Sequence, residues 1–543
     1  MGYGETSTNV EQIVFMKIQL IIPMSGIGKR FQDAGYSIPK PLIKVNGREI
    51  IYHVVNMFND IERVIFICNE NHLNDKRLNL KKLLKNLHPN SKIISIKAHK
   101  RGPIHAVIQS EYSINLDMPT IVNYCDFNSL FDFSKFKEHL IKENPDGCVF
   151  TYTGFHPHML QNTNYAYVKK NLGKIIDIQE KKPFTEKPME EEVSSGTYFF
   201  KSGSLMLDVF KETVDLNLNV KGEYYVSMAY KPMIKNRLKI STFLIDYFMQ
   251  WGTPLDLEEF NWYSDIFKKL NYKSHLNIIP REGLLMMPMA GFGSRFANEG
   301  YKTPKPFIKV SGEDMYLKAV KDLPRMKNEM LITRKEIIGK RNLLIDMKKE
   351  KFNPKIKFLE QMTEGQAITC IKGMEDKEIK LDEELTISAC DMGIIYNYEK
   401  FEKILSSKEV DVLVWGCKGY PAAQKTPSSF SWIYEEGEFI SKVSVKKNLI
   451  NPLKDNLLIG TFTFKKASEF LKCAKKSVES NKKINGEYYV DDVINKCIEI
   501  GLKVKLFEVD YFICWGTPDE LSTYCYWEDC FNNWNKHPFK KEN

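Results

Sequence analysis

The sequence of 543 residues is short of several things, and each absence narrows what the chain can be. It has no apolar run of membrane-spanning length, so no membrane-spanning helix is expected. Its eleven cysteines make no CxxC pair and no Cys/His ligand spacing, which argues against zinc modules. An odd cysteine count in a long chain suits the reduced thiols of a cytoplasmic protein better than a disulfide framework. The formal charge of +9, from 78 Lys+Arg against 69 Asp+Glu, is scattered, without the basic clusters or modules of a nucleic-acid binder. No P-loop GxxxxGK[ST] and no hexapeptide repeat is present, so a kinase and an acyltransferase tail drop out. The opening MGYGETSTNVEQ is polar and unlike a signal peptide. Met1, Gly2 and Thr6 fit the short N-myristoylation pattern, and residues 1–16 are read as an N-terminal tail.

What is present is a repeat. SGIGKRFQDAGYSIPKPLIKV begins at Ser25, and AGFGSRFANEGYKTPKPFIKV begins at Ala290. Gly26 recurs as Gly291, Arg30 as Arg295, Lys40 as Lys305 and Asp126 as Asp391, all at a shift of 265. Further on, GTYFFK and GTFTFK, the two GEYYV segments and the two WGTP segments repeat at a shift of 264. A period this long is a duplicated domain rather than a solenoid, because about 250 residues can bury a core of their own. The expected division is a first domain over 17–267, a linker over 268–282, a second domain over 283–535 and a C-terminal tail over 536–543.

Inside each copy, strand-like runs such as IQLIIPM, RVIFIC, KIISI and TIVNYC are separated by segments such as NDKRLNLKKLLKNL, whose leucines recur at helical spacing. That alternation predicts an α/β domain, a mainly parallel sheet with helices on both faces, whose ligands bind at the carboxyl ends of the strands. SGIGKRF follows the first strand at that edge, where glycines let backbone N–H groups approach a phosphate and Arg30 adds fixed charge. Pro39 and Pro41 are expected to hold Lys40 on an extended, stiff stretch, so that pairing with a phosphate costs it little entropy. Asp126 and Asp391 each end a central strand, within reach of a magnesium ion shared with substrate phosphates.

The array GxGxRF…PKPxIKV resembles the signature of the nucleotidyltransferases that make nucleotide-diphospho sugars, and the resemblance spans both copies in the same motif order. It implies two tandem Rossmann-like (GT-A-like) domains in which the phosphate of a sugar 1-phosphate, or of a related phosphorylated alcohol, attacks the α-phosphorus of an NTP and releases pyrophosphate. By the resemblance, Ser25, Gly26, Gly28, Arg30 and Lys40 hold the triphosphate in the first copy, and Ala290, Gly291, Gly293, Arg295 and Lys305 in the second. Mg2+ would be held by Asp126 and Asp391. Glu180 and Lys181 resemble the Glu-Lys pair beside the acceptor phosphate, whereas the second copy keeps Lys446 but has Val445 in place of the acid, which predicts a different or more weakly bound acceptor. Gly196, Glu223, Gly460 and Glu487 match positions that line the acceptor pocket. For the base, Gly102 in RGPIHAV aligns with Gly365 and Gln366 in EGQAITC, and the Gln366 amide can pair with a base edge. Tyr165 and Trp432 either stack on a ligand or pack in the core.

The chain departs from the pattern at a second metal-binding aspartate, where Gln250 and Cys514 stand. Asp246 and Asp510 lie four residues back, about 13 Å along a strand and too far to substitute. The alternatives are a CTP-dependent cytidylyltransferase for a polyol phosphate or phosphocholine, and a GT-A-like glycosyltransferase. The latter loses ground because Asp126-Phe127-Asn128 and Asp391-Met392-Gly393 are not DxD motifs. Partners are then an NTP and a phosphorylated small molecule, with no nucleic acid and no membrane span, and a homo-oligomer is left open. A part in capsule or surface-glycan synthesis follows only from the resemblance.

Overall fold

Short runs of consecutive apolar residues build the centre of each half. In a computed structural model, residues 16–271, 279–339, 341–350, 352–445 and 451–541 are described. The chain divides into two units, Met1–Asn261 and Trp262–Asn543.

In the first unit the strand Gln19–Met24 is almost wholly buried and lies between Arg63–Asn69 and Thr120–Asn123, parallel to both. Lys92–Ile96 extends this parallel set beyond Arg63–Asn69. On the other side the sheet changes character. Glu192–Phe200 runs antiparallel to Thr120–Asn123, and Ala166–Asn171 and Lys174–Glu180 continue from it as an antiparallel hairpin. Gly147–Tyr152 also pairs with Glu192–Phe200, and Ile240–Leu244 completes the nine strands. The Rossmann-like α/β expectation holds, with a mixed sheet in place of a mainly parallel one. The returning strand Glu192–Phe200 arrives by way of a β-hairpin rather than a helical crossover, so nothing forces it parallel.

The second unit repeats this order strand for strand. Lys355–Leu359, Met326–Arg334, Arg281–Pro288 and Leu385–Ser388 are its parallel set. Asn456–Phe464 is the antiparallel return, joined to Val412–Cys417 and then Val504–Glu508. Each unit buries its own core against helices: Ile104, Val107, Met206 and Phe210 pack on Ile21, Ile65 and Val122 in the first, and Ala367, Phe470 and Ile494 pack on Met286, Ile332 and Ile387 in the second.

A two-stranded ribbon in each unit positions the site. Tyr247–Gln250 pairs antiparallel with Phe127–Leu130, placing Gln250 opposite Phe127, next in sequence to Asp126. Tyr511–Cys514 does the same with Met392–Ile395. All eleven cysteines are free thiols, and no helix among the described residues is long and apolar enough to cross a membrane.

Candidate active site

The first strand of each unit ends in the glycine loop. Gly28 and Gly293 adopt left-handed backbone angles (φ of 69° and 65°) and start the short helices Lys29–Asp33 and Ser294–Asn298. A Cβ on Gly293 would stand 2.8 Å from the Lys305 Cβ, so loop and lysine fit only without a side chain there. At Gly26 and Gly291 a Cβ would meet nothing within 4 Å, and Arg30 and Arg295 are exposed on the helix beside this open space. Behind the loop, Ser25 and Ala290 are buried, their carbonyls accepting from Asn69 Nδ2 and Arg334 Nε.

Lys40 and Lys305 are not extended as expected. Each opens a single 3-10 turn, Lys40–Leu42 and Lys305–Phe307, in which the Leu42 N–H donates to the Pro39 carbonyl and the Phe307 N–H to the Pro304 carbonyl. The proline before each lysine is extended and fixes the entry to the turn. The turn's own hydrogen bonds then outweigh the steric push of the proline that follows.

Asp126 and Asp391 were expected to end a central strand; they stand just past it, between Thr120–Asn123 and Phe127–Leu130 and between Leu385–Ser388 and Met392–Ile395, and that turn carries each lysine to its aspartate. Lys40 Nζ lies 2.7 Å from Asp126 Oδ2, with side chains only 20% and 25% exposed. Lys305 Nζ donates to Asp391 Oδ2 and also, at 3.2 Å, to the Gly516 carbonyl. Burial depresses both ammonium pKa values, but Asp126 and Asp391 outweigh it, and the net shift is upward. Burial raises the Asp391 carboxyl, and Lys305 more than reverses this, holding it below the ordinary range. The pair is therefore fully charged at neutral pH, a cation and an anion matched in the absence of ligand.

WGTP closes the site from above. The buried Trp251 and Trp515 donate their backbone N–H to the Asp126 and Asp391 carbonyls at 3.0 and 2.8 Å. A Cβ on Gly252 would stand 3.2 Å from both Asp126 Oδ2 and Gln250 Oε1. On Gly516 it would stand 3.2 Å from Asp391 Oδ2, 3.3 Å from Cys514 Sγ and 3.7 Å from Glu520 Oε2. Glycine at this point thus lets the backbone pass close to side-chain oxygens of two residues in each unit.

Glu520 was missed in the sequence. It sits in the first turn of the helix Pro518–Asn533, where it accepts from the Cys514 thiol at 2.9 Å and from Thr517 Oγ1 at 3.2 Å. Burial raises its pKa. Asp256 is its counterpart, in the first turn of Pro254–Asn271, accepting from Thr253 Oγ1 at 2.6 Å. The signal was the acid four residues past each WGT glycine, which reads locally as a helix cap. Asp246 and Asp510 immediately precede their ribbon strands, their N–H groups donating to the Leu130 and Ile395 carbonyls, at the opposite end of each strand from Gln250 and Cys514.

The loop expected to meet the base is clamped to GEYYV. A Cβ on Gly102 would fall 2.7 Å from the backbone N and O of Tyr224, and on Gly365 2.6 Å from those of Tyr488. Tyr224 and Tyr488 donate to the Arg101 and Glu364 carbonyls, and Ile104 and Ala367 return the bond. Gln366 begins the helix that follows. In the first unit a pocket of about 360 Å³ opens beside Gly28, Pro39 and Lys40, with Asn69, His72, Asp75 and Ala98 on its far side.

Among the residues expected to meet the acceptor, Lys181 Nζ donates to Tyr225 Oη at 2.5 Å, and the Tyr225 hydroxyl donates to Glu223. Ser227 Oγ donates to Glu180 at 2.6 Å, and burial raises the Glu180 pKa. Gly196 and Gly460 stand in the two return strands, Glu192–Phe200 and Asn456–Phe464. Their left-handed angles bulge the return strand against Phe127 and Tyr124 in one unit and Met392 in the other. Lys446 lies outside the described residues. Trp432 is a core residue, fully buried with its indole N–H on the Pro427 carbonyl, whereas Tyr165 reaches Gln250 at the site's rim.

A Rossmann-like sheet, a glycine loop past its first strand, a lysine paired with an aspartate beside the next, and a cluster of Lys181, Tyr225 and Glu180 make up the candidate site of the first unit. Residues 20–235 match the family model described as Nucleotidyl transferase, and the second unit repeats the topology and motif residues of that stretch. Among solved structures, the chain is similar to a nucleoside-diphosphate-sugar pyrophosphorylase from Vibrio cholerae RC9, at 21% identity over 45% of this chain and 99% of that one, with a TM-score of 0.37. It is similar to the inositol-1-phosphate CTP transferase from T. maritima, at 15% identity over 44% and 91%, TM-score 0.34. A UTP-bound UGPase from Acinetobacter baumannii aligns at 18% identity over 45% and 91%, TM-score 0.34. The comparison with curated proteins found no match.

Proposed function

We propose that the chain joins an NTP to a sugar 1-phosphate or a related phosphorylated alcohol, releasing pyrophosphate, and does so at two sites, one per unit. The observation that carries this reading is the lysine–aspartate pair at the strand edge, present in both units with the same loop in front of it. Transfer at phosphorus asks for in-line positioning and neutralised phosphate charge more than for covalent help. Lys40 or Lys305 would leave its aspartate for the phosphates as the nucleotide enters, and Arg30 or Arg295 would add a second charge from the loop. Lys181 and Glu180 would hold the acceptor phosphate and its hydroxyls.

Oxygen donors of the type Mg2+ takes lie together beside Gly252 and Gly516. Asp126 with the Gln250 amide oxygen would hold the ion in the first unit, and Asp391 with Glu520 in the second. When bound, it would supply charge stabilisation on the phosphate oxygens.

The test is pyrophosphate release with magnesium across the common NTPs and a panel of sugar 1-phosphates, polyol phosphates and phosphocholine, for the parent, Lys40→Ala and Lys305→Ala. Loss of different substrate pairs in the two variants establishes two sites. Loss of all release in one variant alone leaves a single catalytic unit, and no release from the parent across the panel sinks the reading.

A further inference from the structure

The acid that the second unit lacks on its strand is present in space, supplied by another element. In the first unit Glu180 ends the strand Lys174–Glu180, directly across the ladder from Ala166, and its carboxylate accepts from Ser227 Oγ at 2.6 Å. Ser227 follows GEYYV immediately. In the second unit Val445 takes the place of Glu180 and is buried. Ser431, which like Ala166 opens the first strand of the hairpin, donates its hydroxyl to Asp491 Oδ2 at the same 2.6 Å. Asp491 follows the second GEYYV as Ser227 follows the first. Carboxylate and serine have exchanged sides of one contact.

The surroundings agree. In the first unit the charges bearing on the Tyr225 phenol are Glu223, Glu180 and Arg30. In the second, those bearing on the matching Tyr489 are Glu487, Asp491 and Arg295. Asp491 thus stands to Tyr489 and the loop arginine as Glu180 stands to Tyr225. A carboxylate on the strand would need its own partner, whereas in the first turn of the helix Val490–Glu499 the anion is favoured by the free N–H groups there, so the move costs the fold little.

We propose that Asp491 is the acceptor-recognition carboxylate of the second site, and that the acceptor there is a polyhydroxylated phosphate, a sugar or polyol phosphate whose hydroxyls donate to it. This rests on the two-site nucleotidyltransferase reading and deepens it. The second site then takes the same chemical class of acceptor as the first, with the shorter aspartate, approached from the helix, setting which hydroxyls are read.

The experiment uses the full chain carrying Lys40→Ala, so that only the second site turns over, and measures KM for NTP and for acceptor separately. Asp491→Asn is expected to raise the acceptor KM roughly tenfold or more, the usual effect of weakening a hydrogen bond to a charged group, with the NTP KM within about twofold. Asp491→Ser combined with Val445→Glu, which rebuilds the first unit's arrangement, is expected to recover most of the loss, a rescue that a purely structural aspartate would not give. Ser431→Ala keeps the carboxylate and removes its holder, guarding against an Asp491 variant that does not fold; a severalfold rise in acceptor KM is expected. Turnover with an unchanged acceptor KM, or with both KM values rising together, overturns the role of Asp491 and leaves the enzymatic reading standing. Preference for phosphocholine over every sugar and polyol phosphate overturns the acceptor class. Absence of release from the parent with every pair overturns both proposals.

Discussion

Replacing Lys40 by methionine separates the structural from the chemical use of the lysine–aspartate pair. Methionine keeps most of the buried stem and removes the charge, leaving the Asp126 carboxylate without its cation. Breaking a fully buried pair costs about 3–5 kcal/mol and an exposed one about 1 or less; with both side chains about three-quarters or more covered, a loss of about 2 kcal/mol is expected. For a unit of this size that lowers its melting temperature by about 4–8 °C. Pyrophosphate release by the first site should fall about 10²–10³-fold, the scale for losing a fixed charge on a transferring phosphate. Adding Asp126→Asn removes the stranded anion, so the double variant should regain most of the stability and none of the activity. The assay is calorimetric melting alongside release measured in the Lys305→Ala background. Recovery of activity in the double variant, or wild-type activity in Lys40→Met, would refute a phosphate-facing lysine and leave a purely structural ion pair.

Three other outcomes are expected. Glu520→Gln should raise the magnesium concentration needed for half-maximal release by the second site about tenfold and leave the first site alone, checked by metal titration of Lys40→Ala and Lys305→Ala proteins. Gly365→Ala puts a Cβ 2.6 Å from the Tyr488 backbone at a φ of 120°, so it should cost about 1–3 kcal/mol and raise the second site's NTP KM, read by melting and kinetics together. The Glu180 pKa is raised by burial, so its carboxylate is lost on acidification at a pH above the ordinary carboxylate value, and the acceptor KM of the first site should climb there. A raised carboxyl pKa means the folded unit binds that proton more tightly than the unfolded chain does. Its stability contribution is therefore present at low pH and is lost as pH rises through the folded value. Glu180→Gln should flatten the KM profile, and a profile that keeps its slope would remove Glu180 from the acceptor site.

The parts of the site that lie close together in sequence could be read directly. A glycine loop after a buried strand, a lysine between prolines and an aspartate just past an apolar run announce themselves because each is a local pattern written twice. Even here local reasoning slipped at Lys40. The sterics of a following proline predicted an extended residue, and the hydrogen bonds of one 3-10 turn decided otherwise. Glu520, Asp256 and Asp491 were illegible for a different reason. Each is an acid in the first turn of a helix, where capping is the usual explanation, and nothing in the sequence distance from Asp391 to Glu520 or from Ser431 to Asp491 marks them as neighbours.

The sequence by itself determined the duplication, the α/β class and the order of the loops along each strand edge, because hydrophobic period and glycine or proline placement act over a few residues. Only the tertiary structure decided that the sheet is mixed, that Lys40 and Lys305 sit on Asp126 and Asp391, and that Ser431 meets Asp491 on a helix in the second unit where Ser227 meets Glu180 on a strand in the first. Those facts depend on which elements the sheet brings side by side. Side chains 86 residues apart in sequence, as in Lys40 with Asp126 and Lys305 with Asp391, share a site when two backbones pack together.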